Sequence, residues 1–126
     1  MIAAEPIVSD QRGVTPAERI ASLANLYRFN DREAVTGFLY RHDFLVDVLI
    51  EARDHIRTHF GPDTPTALEV FYDLDDEHEE PELFALIETT LSAEEASMQL
   101  DRLDETWWLD ALPRGRYILQ IDIRFV

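Results

Sequence analysis

The chain has no cysteine and no lysine among its 126 residues. Without cysteine there is no disulfide, no thiolate metal site and no thiol nucleophile, and thiol usage says nothing about compartment. Without lysine there is neither a Schiff-base amine nor a phosphate-gripping P-loop lysine. Glycine is scarce as well. Gly13, Gly37, Gly61 and Gly115 each stand alone, so no Gly-rich phosphate cradle and no G-x-S-x-G elbow can be built. The most apolar run, residues 44–50, is interrupted by Asp47 and is far too short to span a bilayer. Residues 1–13 carry Glu5 and Asp10 without a basic start or a long apolar stretch, unlike a secretory signal. The expectation is a cytoplasmic protein.

What the chain has in excess is carboxylate. Eleven basic residues, all arginine, face 26 acidic ones for a net charge of −15. Such a field repels nucleic-acid phosphate and anionic membrane at long range and attracts a basic protein. Its plain reading is colloidal solubility. With 46% hydrophobic residues, a chain of this length can bury one core without covalent staples.

Residues 1–14 have no hydrophobic period and are expected to form a flexible tail before a single α+β domain over residues 15–126. Thr15-Pro16-Ala17-Glu18 is a capping box with proline at the first helical position, predicting a helix to about Arg28. Asn30-Asp31 opens a second, short helix. Asp43 opens a third, on which Leu45, Leu49, Ala52, Ile56 and Phe60 share a face. From Thr66 the period becomes two, giving strands over 66–74 and 83–91. Ser92-Ala93-Glu94-Glu95 caps a fourth helix with an inner face of Ala96, Leu100, Leu103 and Trp107. Tyr117 to Phe125 alternates as a last strand. Helices on one face of a three-stranded sheet follow, in the order α-α-α-β-β-α-β. The last strand is expected beside the first and antiparallel to it, spatial order 2-1-3, a split β-α-β arrangement.

Several residues could carry chemistry. Asp73, Asp75, Asp76, Glu77, Glu79, Glu80 and Glu82 crowd one loop. An EF-hand starting at Asp73 fails, with His78 at the glycine position and Phe84 at the terminal glutamate position. Five of these, Asp75, Asp76, Glu77, Glu79 and Glu80, are candidate contacts for a basic partner, against the plain reading of a solvated loop. Glu51, His55 and His59 share one side of the third helix, a weak metal-ligand spacing without the glutamate of His-Glu-x-x-His. Surface histidines near a helix C-terminus are the simpler account, so no metal or other cofactor is expected. Asp101, Asp104 and Glu105, or Glu69 and Glu88, could act as acid–base pairs. In so acidic a chain such pairs also arise by chance, so no catalytic residue is assigned. Trp107 continues an apolar face, whereas Trp108, rotated by about 100° on a regular helix, is placed at a boundary and is a candidate partner contact. Its structural alternative is packing under the turn at Leu112-Pro113.

The segments Leu68-Glu69-Val70, Leu91-Ser92-Ala93-Glu94-Glu95-Ala96, Asp104-Glu105-Thr106-Trp107-Trp108-Leu109 and Ile121-Asp122-Ile123-Arg124-Phe125 resemble a family of small acidic bacterial proteins, met especially in cyanobacteria and without an assigned activity. The resemblance covers roughly residue 38 to the end and implies a shared fold only. The functional expectation is a non-catalytic interaction or assembly module. It would bind a basic protein, or itself through the C-terminal edge strand, and neither nucleic acid nor membrane. A small hydrolase or metal-dependent enzyme using carboxylates with His55 and His59 is the alternative. Nucleic-acid binding would require a local patch, Arg53 with Arg57 or Arg114 with Arg116, to overcome the overall repulsion.

Overall fold

A computed structural model describes residues 15–72 and 80–126. Helix α1 (Pro16–Leu23) begins as its sequence dictates. The Thr15 side chain accepts from the Glu18 amide at 3.1 Å, and Pro16 takes a position whose N–H would be unpaired anyway. It ends five residues before the predicted stop. The chain then extends into a two-residue strand, β1 (Arg28–Phe29), pairing in parallel with Ala67 and Leu68. Tertiary contact overrides local propensity here. Tyr27 is drawn into the core, where its hydroxyl donates to the Leu49 carbonyl at 2.6 Å, and that anchor turns the following residues onto the sheet. Burial pushes the Tyr27 phenol far above its ordinary range, so it serves as a permanent donor.

Asp31 caps α2 (Arg32–Arg41) by accepting from the Ala34 amide. Helix α3 (Leu45–Phe60) buries Leu45, Val46, Val48, Leu49, Ala52 and Ile56. The predicted cap Asp43 lies one residue too early, and no side chain caps this helix. Gly61 stops it at φ 112°, a backbone setting that a side chain would strain. Strands β2 (Thr66–Phe71) and β3 (Glu82–Thr89) pair antiparallel, with Ala67 opposite Leu86 and Glu69 opposite Phe84. Ser92 caps α4 (Ala93–Leu103) by accepting from the Glu95 amide. A π-helical turn (Asp104–Trp108), a short helical turn (Leu109–Ala111) and a 3-10 turn (Leu112–Gly115) lead into β4 (Leu119–Phe125).

The protein is α+β, with a mixed sheet in the order β1-β2-β3-β4. Two expectations are corrected: the sheet has four strands, and its last strand lies beside β3 in parallel rather than beside β2. The two corrections share one cause. β1 occupies the free edge of β2, so only the β3 edge is open when the chain returns from α4. Helices α1 to α4 pack on one face of the sheet. Their apolar residues form one buried cluster with Leu68, Leu83, Ala85, Ile87, Leu119 and Ile121, the strand residues that point toward them. Among the described residues no helix is long and apolar enough to cross a membrane.

Candidate interaction surface

Alternation along the strands sends a second set of side chains to the opposite face: Ala67, Glu69 and Phe71 from β2, Phe84, Leu86 and Glu88 from β3, and Gln120, Asp122 and Arg124 from β4. None of these belongs to the core cluster beneath the helices. Their centre is apolar. Ala67 and Leu86 are buried by their neighbours, and Phe71 meets Phe84 edge to face with centroids 4.7 Å apart. Phe71 nevertheless leaves 41% of its surface in water, and Tyr72 beside it is more exposed still.

Charged pairs frame this centre. Arg28 grips Glu88 with both guanidinium nitrogens, Nη1 to Oε1 at 2.8 Å and Nη2 to Oε2 at 2.6 Å. The Glu88 side chain is only 8% exposed. Hydrogen bonding from Arg28, assisted by its charge, holds the Glu88 carboxyl below the usual carboxylate range although burial opposes it. Glu69 accepts from Asn30 at 3.0 Å and from Arg124 at 3.2 Å. Gln120 and Glu82 approach at 3.4 Å. Four strands are thus tied by side chains across a face that no helix of the described residues covers.

The face continues to an edge. Among the described residues β4 pairs with β3 on one side only, and it ends in Phe125 and Val126, which are 56% and 68% exposed. One of its amides is guarded: Asp122 Oδ1 accepts from the Ile123 N–H at 2.8 Å. A carboxylate on an edge strand blunts pairing with another strand, most of all with a second equally acidic copy.

The chain was compared with protein-family models, with curated proteins and with solved structures. No match emerged from any of the three. Geometry alone therefore carries the functional reading.

The residues singled out from the sequence are distributed differently from expectation. Trp107 and Trp108 exchange roles. Trp108 is buried at 5% exposure, beneath the 3-10 turn, where an added Cβ on Gly115 would lie 3.6 Å from its ring, while Trp107 is half-buried at the border of the core. The cause is the π-helical turn, in which the Leu109 N–H reaches back five residues to the Asp104 carbonyl. One extra residue in the turn rotates the next side chain inward. Trp108 is therefore buried, not at the boundary where regular helical spacing put it. Leu109 beside it is exposed.

Glu51 and His55 lie near each other and both lie against Trp107, whereas His59 meets Thr106. Arg114 binds Glu51 with two nitrogens and holds its carboxyl below the usual range. The His55 ring stacks on Trp107 at 4.6 Å. His59 Nε2 lies 3.2 Å from Thr106 Oγ1, whose hydroxyl donates to the Arg102 carbonyl. The Thr106 oxygen is left as acceptor, so His59 is the donor. Among the described residues no group of three or more acidic or histidine side chains is arranged to hold a metal ion. Asp104 sits between Asp101 and Glu105; burial first, then those like charges, raise its pKa. Asp75, Asp76, Glu77 and Glu79 fall outside the described residues, and Glu80 is exposed. Sequence reasoning missed the Phe71–Phe84 pair, although both faces of the second strand read as apolar. That pattern is the trace of a sheet with a partly apolar outer side.

Proposed function

We propose that this protein is a non-catalytic interaction module that docks a basic protein partner on the open face of its sheet and along β4. One observation carries the reading: among the described residues the helices lie on one side of the sheet, and its other side presents an apolar centre within a ring of charge. Contact surfaces between proteins share that anatomy, a desolvated centre with aromatic residues inside a polar rim. The sign of the partner follows from charge. Carboxylates outnumber arginines on this face, and the chain as a whole carries −15. The acidic run after Tyr72 joins β2 to β3, so its carboxylates enter the chain next to the exposed aromatics. Two copies would repel each other, and Asp122 guards the β4 edge against self-pairing, so a basic partner is favoured over a homodimer.

Affinity purification from cells that naturally make the protein, followed by mass measurement of the intact complex, tests this. The expected result is a stoichiometric basic partner whose retention weakens as salt rises and fails with the double variant Phe71→Ser/Phe84→Ser. An unaccompanied monomer at every salt concentration, or a partner retained by the double variant, would overturn it.

A further inference from the structure

On the helical side, at the junction of α1, β1, α3 and the α3–β2 connection, lies an open cleft of about 510 Å³. Its polar wall comprises Asn25, Arg28, Arg32, Arg53, Asp63 and Thr64, and Leu26, Phe29 and Pro65 supply apolar surface. Three of the chain's eleven arginines therefore border this cleft, Arg28 with its guanidinium turned to Glu88, although carboxylates outnumber arginines more than twofold in the sequence. A random scatter of these charges would place more acid than base there. Asp63 is the one acidic residue of the wall.

The three arginines differ in how their charge is spent. Arg28 is engaged by Glu88. Arg32 and Arg53 form no ion pair among the described residues. The Arg32 guanidinium lies 5.5 Å from the Phe29 ring centre, a contact that orients it without neutralising it. Arg53 is the more telling. Its Nη1 is buried and has no hydrogen-bond partner among the described residues. A buried donor left unpaired costs free energy, more when it carries charge. A guanidinium does not escape that cost by losing its proton. Desolvation is the largest influence on Arg53, and the neighbouring Arg57 charge adds to it. Asp54 is the next residue, yet no Arg53–Asp54 ion pair forms.

We propose that this cleft is a binding site for a small oxyanion, a carboxylate or phosphate group on a small molecule, gripped by Arg53 and Arg32. Planar guanidinium forks match the paired oxygens of either group. The amide of Asn25 and the hydroxyl of Thr64 are further polar groups on the wall. Leu26, Phe29 and Pro65 suit a compact apolar body attached to the anion. The chain's negative field and Asp63 disfavour polyanions, which separates this site from a nucleic-acid groove. The site borders the sheet face at Arg28, but Arg32 and Arg53 take no part in that face, and the inference goes beyond partner docking.

The test is thermal unfolding and calorimetric titration of the whole chain with inorganic phosphate and, separately, with sodium succinate, at fixed ionic strength against sodium chloride. The wild type should show a saturable rise in Tm with at least one of the two. Response to phosphate alone identifies a phosphoryl ligand, and response to succinate alone a carboxylate. Arg32→Gln and Arg53→Gln should each weaken that binding at least tenfold, whereas Arg102→Gln on exposed α4 leaves it unchanged. No saturable response beyond chloride, or equal loss in all three variants, would overturn the proposal. Should Arg53→Gln fail to fold, Arg32→Gln against Arg102→Gln decides alone.

Discussion

At the scale of single residues, the pair Arg28–Glu88 shows how an acidic chain uses its few cations. Glu88 is nearly enclosed on the outer sheet face, while Arg28 is half exposed, so the pair ties β1 to β3 across β2 while remaining in contact with solvent. Replacing Glu88 by Gln keeps the shape and removes the charge. The expected loss is about 1–2 kcal/mol at neutral pH, modest because Arg28 regains water. The pH dependence has a definite sign. Arg28 lowers the Glu88 carboxyl below its unfolded value, so the stabilisation is fully present above the unfolded carboxylate range and disappears as pH falls through the depressed folded pKa. Urea unfolding of wild type and Glu88→Gln across pH 2 to 7 checks this: the two stabilities should draw together in acid. A gap that widens in acid would show that the carboxylate is not held by Arg28. Neither residue's role was legible in the sequence, because a pair sixty positions apart is made only when β1 joins the sheet.

At the scale of elements, legibility follows how local each cause is. Thr15 and Ser92 act on amides three residues ahead, so both helix starts could be read directly. β1 could not, since two residues have no period and its pairing is tertiary. The sheet order was lost with it. The π-helical turn was equally hidden: Ala96, Leu100, Leu103 and Trp107 keep regular helical spacing on paper, yet the inserted residue gives Trp108 the buried place. Trp108→Ala should therefore cost about 3–5 kcal/mol. Trp107→Ala, which removes a half-buried ring and its stack on His55, should cost about 1–2 kcal/mol. Single-tryptophan variants made by changing either residue to Phe report the same order by acrylamide quenching, with the indole of Trp107 the more accessible. Equal quenching of the two would contradict the inward rotation.

At the scale of the molecule, one side of the sheet carries the described helices, and the proposal places partner contact on the other. The helices bury the inward residues of β2, β3 and β4, and side-chain pairs rather than a second layer brace the outward ones. A chain with 26 acidic residues has no shortage of groups to make that outer face wholly polar. It places Phe71 and Phe84 there instead, with Leu86 and Ala67 beneath. Charge composition gave the expectation of a basic partner, but which strand residues face away from the helices is set by register and was not legible in the sequence.

The most direct measurement is photo-cross-linking in cells from a light-activated phenylalanine analogue placed at position 71, with the analogue at position 109 as control. Both positions are exposed, one on the open sheet face and the other on the helical side. The account predicts a discrete adduct with a basic protein from position 71 and none from position 109. Adducts from position 109 alone, or from neither, would contradict it.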